Sequence, residues 1–104
     1  LNVFELWGMI GNATIEEEIV NEEGEFRSND HWAVVRTRNY VVSVIWQTFD
    51  KAILAVGKKG DELPIVVYEL FKYGELEEVK ELVSGQVDIG KVINEVKGVL
   101  NGNC

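Results

Sequence analysis

Cysteine is all but absent from this chain, the single one being Cys104, the last residue. One thiol excludes an intramolecular disulfide and a paired-cysteine metal site, and such usage fits a reducing, cytosol-like compartment. Histidine is equally scarce: with His31 alone, a multi-histidine zinc site within one chain is excluded. No apolar run approaches the roughly 20 residues needed to cross a bilayer, and the first residues lack a basic segment followed by an apolar one. Neither membrane insertion nor secretion is expected. Basic residues are few, ten Lys and Arg against eighteen Asp and Glu, for a net charge of -8. Phosphate neutralisation needs a basic stripe, so general nucleic-acid binding is not expected either.

Against these absences stand 104 residues that are 46% hydrophobic and include three Trp. That is material for one domain with a sizeable core, and it excludes a disordered or fibrous chain. Abundant Glu, Lys, Val and Ile with little Gln, Met or Cys is a composition of the heat-adapted kind. The charge is unevenly placed. Residues 1–30 hold eight acids against Arg27, whereas residues 31–104 hold ten acids and nine bases. An acidic front beside a balanced remainder suits a cationic partner, a metal ion or simple solubility.

Hydrophobic periodicity assigns most of the chain. Val3–Ile10, VFELWGMI, is apolar and aromatic with Gly8 as an interruption, which predicts a strand. Two readings compete for residues 14–27. Thr14 and Glu17 match a helix capping box, with Ile15, Ile19 and Val20 on one helical face. Alternatively, Asn21–Gly24, NEEG, closes a hairpin that pairs Val20 with Glu25, Ile19 with Phe26 and Glu18 with Arg27. The segments 32–36 (WAVVR), 40–48 (YVVSVIWQT), 51–56 (KAILAV) and 65–71 (IVVYELF) read as consecutive antiparallel strands, with turns at TRN, TFD and GKKGDELP. Apolar residues on both pleat faces of the middle strands require cover on two sides.

Leu76, Val79, Leu82 and Val83 fall at helical spacing and predict a short amphipathic helix. Asp88 caps a second helix along which Ile89, Val92, Ile93, Val96 and Leu100 form a stripe. The expected fold is α+β: an antiparallel meander of about four to six strands with two C-terminal amphipathic helices packed on one face. The expected domain is single over 1–104, β-rich in 1–73, helical in 74–100 and frayed in 101–104. Surplus apolar positions on both sheet faces also predict a homodimer, formed by a sheet face or by the last helix.

Candidate chemistry is thin. The glutamates of residues 15–32 invite a hard divalent cation, but neither the hairpin nor the helix gathers four carboxylate oxygens at one point. The loop VGKKGD departs from the phosphate-binding G-x-x-x-x-G-K-[ST] and lies between two strands, so no nucleotide cofactor is implied. In GDELPIVVYELFK, Asp61, Glu69 and Lys72 faintly resemble a nuclease set, yet the Glu and Lys would face opposite sides of a strand. Ser28, Ser43 and Ser84 lack an evident base beyond His31, Cys104 lies at the end of the chain, and Asn12-Ala13-Thr14 formally matches a glycosylation acceptor.

The three arginines, Arg27, Arg36 and Arg38, fall within twelve residues. If the third strand runs on to residue 38, Trp32, Val34, Arg36 and Arg38 share one face. An aromatic plane beside two guanidinium forks, with His31 as a proton carrier, is a candidate surface for a phosphate, a carboxylate or a stacked base. The competing account pairs those arginines with the acidic hairpin. No complete set of nucleophile, base and orienting group is visible, so the expected role is a non-catalytic binding or protein-interaction module that needs no cofactor. Its expected partner is a protein or a second copy of the chain. The alternative is a small anion- or nucleotide-binding domain or enzyme using Trp32, Arg36, Arg38 and His31.

Overall fold

Alternation at period two, broken by short polar turns, makes strands that are neighbours in sequence pair in space. The computed structural model describes residues 2–11 and 16–102. Helix α1 (Asn2–Gly11) is followed by strands β1 (Glu18–Asn21), β2 (Gly24–Ser28), β3 (Trp32–Arg36), β4 (Tyr40–Thr48), β5 (Lys51–Lys58), β6 (Val66–Tyr73) and β7 (Leu76–Val83), then by helix α2 (Ile89–Asn101). All seven strands form one antiparallel sheet in chain order.

The acidic hairpin forms in the expected register, with Glu18 opposite Arg27, Ile19 opposite Phe26 and Val20 opposite Glu25. The helical alternative for this stretch is thereby excluded over residues 18–21. Its Thr14, and the Asn12-Ala13-Thr14 triplet, lie outside the described residues, as does Cys104. Gly24 is indispensable to the turn: its φ is 150°, and a Cβ there would collide with the backbone carbonyl of Arg36 on the next strand.

One pleat face carries the core. Ile19, Phe26, Val35, Val42, Val56 and Val66 follow one another across six strands. All but Ile19 are buried, together with Ala33, Val44, Leu54, Ala52 and Leu70 on adjacent rows. Helix α2 covers this face above β1, β2 and β3. The Asp88 side chain accepts a hydrogen bond from the Lys91 amide at 3.1 Å and caps the helix. Val92, Ile93 and Val96 of the expected stripe are buried, as is Val99, and Leu100 packs against the core. The Asn21 amide donates to the Val99 carbonyl at 2.7 Å, tying the first hairpin turn to the end of the helix.

A second tie holds the β3–β4 turn. Glu95 on α2 accepts from the Thr37 hydroxyl at 2.8 Å, the Asn39 backbone amide at 3.1 Å and the Asn39 side chain at 2.9 Å. Burial works to raise the Glu95 carboxyl. These three hydrogen bonds and the charge of Lys91 outweigh it and hold the group below the usual carboxylate range.

Three expectations are corrected. Residues 2–11 form a helix and not a strand: Val3, Leu6, Trp7 and Ile10 repeat at i, i+3, i+4 and i+7, and all four are buried. β-branched and aromatic composition masks that period. Leu76–Val83 is strand β7 and not a helix. Gly74, at φ 63°, opens a two-residue turn, and Tyr73 then pairs with Leu76, Phe71 with Glu78 and Glu69 with Lys80. Eight residues make a marginal helix in water, whereas the adjacent β6 offers a complete ladder. The sheet therefore has seven strands, not four to six, and the two helices flank it at opposite ends of the sequence instead of both following it. They meet through Lys97 and Glu5, 3.8 Å apart.

Two substitutions test this architecture. Gly8 is exposed, and a Cβ there would meet nothing, so Gly8→Ala should raise unfolding free energy in urea by about 1 kcal/mol; a loss would mean that the segment is not helical. Glu95→Ala should cost about 1–3 kcal/mol near pH 7 by leaving Thr37 and Asn39 without their acceptor. Because the folded-state pKa is lowered, the part of that contribution that depends on ionisation is fully present above the unfolded value of 4.5 and fades as pH falls through the lower folded value. In urea melts, the stability gap between wild type and Glu95→Ala should narrow as pH is lowered from about 7 into the acid range.

Candidate functional site

The same alternation that buries one face exposes the other. Its central row runs Glu18, Arg27, Val34, Ser43, Ala55, Val67 and Val83 from β1 to β7. On one side of that row lie Trp32, Ile45, Ile53 and Glu69, and on the other Val20, Glu25, Arg36, Val41 and Gly57. Neither α1 nor α2 covers these residues. Trp32 is 39% exposed, Ile45 52% and Val83 44%. Beyond the Ile53 row, Phe71 stacks on Tyr73 with centroids 6.0 Å apart, and the Lys51 ammonium sits 5.5 Å from the Phe71 ring.

This face has relief. Ser43, Ala55 and Gly57 carry little or no side chain, so the sheet sinks between Arg36 and the loop Gly60–Pro64. The hollow holds about 420 Å³, with Leu63 and Pro64 forming one wall. The large side chains Trp32, Ile45 and Ile53 stand as a ridge beside it.

The face also differs from the chain in charge. Its strand residues include four acids, Glu18, Glu25, Glu69 and Glu78, and four bases, Arg27, Arg36, Lys51 and Lys80. They sum to zero in a protein of charge -8. Several are paired: Arg27 lies 3.5 Å from Glu18 and 3.4 Å from Glu25, Arg36 lies 3.7 Å from Glu25, and Lys51 lies 3.3 Å from Glu69. Exposed pairs of this kind stabilise by about 0–1 kcal/mol each, so they set charge more than stability.

The four residues singled out by sequence do not converge. Trp32 and Arg36 share the open face at opposite ends of β3, as period two requires. Arg38 lies past the end of that strand, in the turn before β4, with its guanidinium 3.5 Å from Glu23 on the first hairpin turn. His31 lies in the β2–β3 turn, 3.5 Å from Asp30 and largely exposed. It borders a separate hollow of about 410 Å³, which Ile10 and Gly11 of α1 and Trp46–Phe49 also line. Ser28, on its wall, accepts from the Glu17 amide at 3.2 Å. Among the described residues, no three His, Cys, Asp or Glu side chains come together as a metal site.

The groups with clearly shifted pKa values also lie off the open face. Tyr68, which burial and then the neighbouring Glu81 push upward, belongs with Glu95 to the helix-covered side. Glu69 and Lys72 do face opposite sides, toward Lys51 and Glu77 respectively.

Ser43, Ala55, Gly57, Ile45 and Ile53 are not candidates on sequence grounds. A signal for them exists in the register across the TFD turn, which places small residues beside one another on two central strands and large ones on the next row. No helix in the described residues is long and apolar enough to cross a membrane. No protein-family model matches the chain, and no curated protein or solved structure matches it.

Proposed function

We propose that this protein is a non-catalytic interaction module whose working surface is the open face of the sheet. The observation that carries the reading is an uncovered apolar face rimmed by charged pairs, with Trp32 and Arg36 among its members. Contiguous exposed apolar surface of this kind marks interaction sites, and aromatic and arginine side chains dominate the energetics of such sites. Balanced charge removes the repulsion that the rest of this acidic molecule would impose on an acidic partner.

A second reading draws on the hollow beside Arg36. A small anionic ligand seated over Ser43 and Ala55 would meet one guanidinium at the rim, already shared with Glu25. Nucleotides or phosphorylated metabolites should then change Trp fluorescence in the wild type and not in Arg36→Ala, and a flat titration across such a panel would remove this reading.

The interaction reading is tested by carbene footprinting inside the cells that make the protein. Label at Trp32, Ile45 and Ile53 should fall at least about threefold relative to a dilute purified sample, while label at the exposed Phe49 stays unchanged. Equal labelling of the face in both samples would overturn the reading.

A further inference from the structure

We infer that the occupant of the open face is a second copy of the same chain, related by a two-fold axis running across the strands at the level of Ser43 and Ala55. The inference rests on the interaction reading above and adds the identity of the partner. Its basis is the self-complementarity of the face.

The row Val34, Ser43, Ala55 and Val67 divides the face into two unlike halves. A two-fold axis along that row reverses strand direction and leaves each strand over its own counterpart. It therefore lays the row on one side of the axis upon the row on the other side. Ile53 of one copy comes over Gly57 of the second, and Ile45 comes over Val41. The ridge of each copy enters the hollow of the other, so one interface fills two hollows with two ridges.

The same operation sets Trp32 of each copy against Arg36 of the other, an aromatic face against a guanidinium plane. It also brings the loop Gly60–Pro64, at one end of β5 and β6, over the opposite end of those strands in the second copy. Leu63, 80% exposed in the single chain, there meets Phe71 and Tyr73, and Asp61 and Glu62 approach Lys51. These are isologous contacts of the kind that closes a dimer without leaving an open end.

Size and charge agree with this occupant. Strands of four to nine residues, spaced about 4.8 Å apart and rising about 3.4 Å per residue, give the face roughly 700–800 Å² of planar area. A standard interface buries about 800 Å² on each partner. Two molecules of charge -8 repel, and a face whose strand residues sum to zero offers them a neutral approach. A sheet-on-sheet sandwich about 10 Å thick places the two cores in register.

The experiment is sedimentation and light scattering of the purified chain at about 1–200 µM, combined with cross-linking and with the same footprint. The wild type should move to twice the monomer mass, and Ile53→Lys should stay monomeric with an unchanged far-ultraviolet spectrum. Should Ile53→Lys fail to fold, Arg36→Glu provides the milder disruption. In a Cys104→Ser background, Ser43→Cys should be joined to its own copy by a short bis-maleimide, because a residue at a two-fold axis faces itself. Phe49→Cys, far from the axis, should not be joined. A monomer throughout, or dimers cross-linked equally at both positions, would overturn the inference. If the face is protected in cells while the concentrated pure protein stays unprotected and monomeric, the interaction reading stands and the second copy does not. If it is unprotected in both, the two fall together.

Discussion

The row from Ile19 through Phe26, Val35, Val42 and Val56 to Val66 is the constraint on which the remaining structure depends. Each of these residues faces the helices only while every hairpin keeps its register, because a slip of one residue turns a whole strand over. The turns enforce that register. Gly24 admits the Arg36 carbonyl where a side chain would block it, and Gly74 reverses the chain in two residues. Helix α2 then locks the arrangement from outside the sheet through Asn21 and Glu95. Packing, turn chemistry and the hydrogen bonds from α2 thus specify the same pairing, the consistency expected of a sequence with one native state.

Much of this pairing is legible in the sequence. The four strands between Trp32 and Phe71 and the Asp88-capped helix follow from local pattern, and there local pattern and tertiary context agree; the acidic hairpin is one of two readings that local pattern leaves open, and pairing with β3 decides it. Where they disagree, the sequence misleads. Val3–Ile10 has strand-forming side chains arranged at a helical period, and period prevails because burying four residues outweighs intrinsic preference. Leu76–Val83 has helix-forming side chains but stands two residues from a strand with a free edge. Propensity is a property of a residue, whereas the free edge of β6 belongs to the assembled sheet.

The candidate surface is legible in part. Trp32 and Arg36 share a face because strand geometry leaves them no alternative, and that relation needs only the boundaries of β3. Arg38 would join them only on a longer strand, and β3 ends two residues earlier, where the polar TRN turn begins. The acidic stretch has a definite electrostatic role. Its Glu18, Glu23 and Glu25 engage all three arginines, and Glu18 and Glu25 are two of the four acids that balance the open face.

The placement of α2 has a consequence for biosynthesis. The first three strands form early along the chain, yet the helix that covers them is made from residues 89–101, after the whole sheet. Until those residues leave the ribosome, the row containing Phe26 and Val35 stays exposed on the nascent protein. At about 5–20 residues per second, the interval from the end of β3 to the end of α2 lasts a few seconds or more. The glutamates of the first hairpin emerge just before that window opens. Each copy therefore carries that like charge while the sheet waits for its lid.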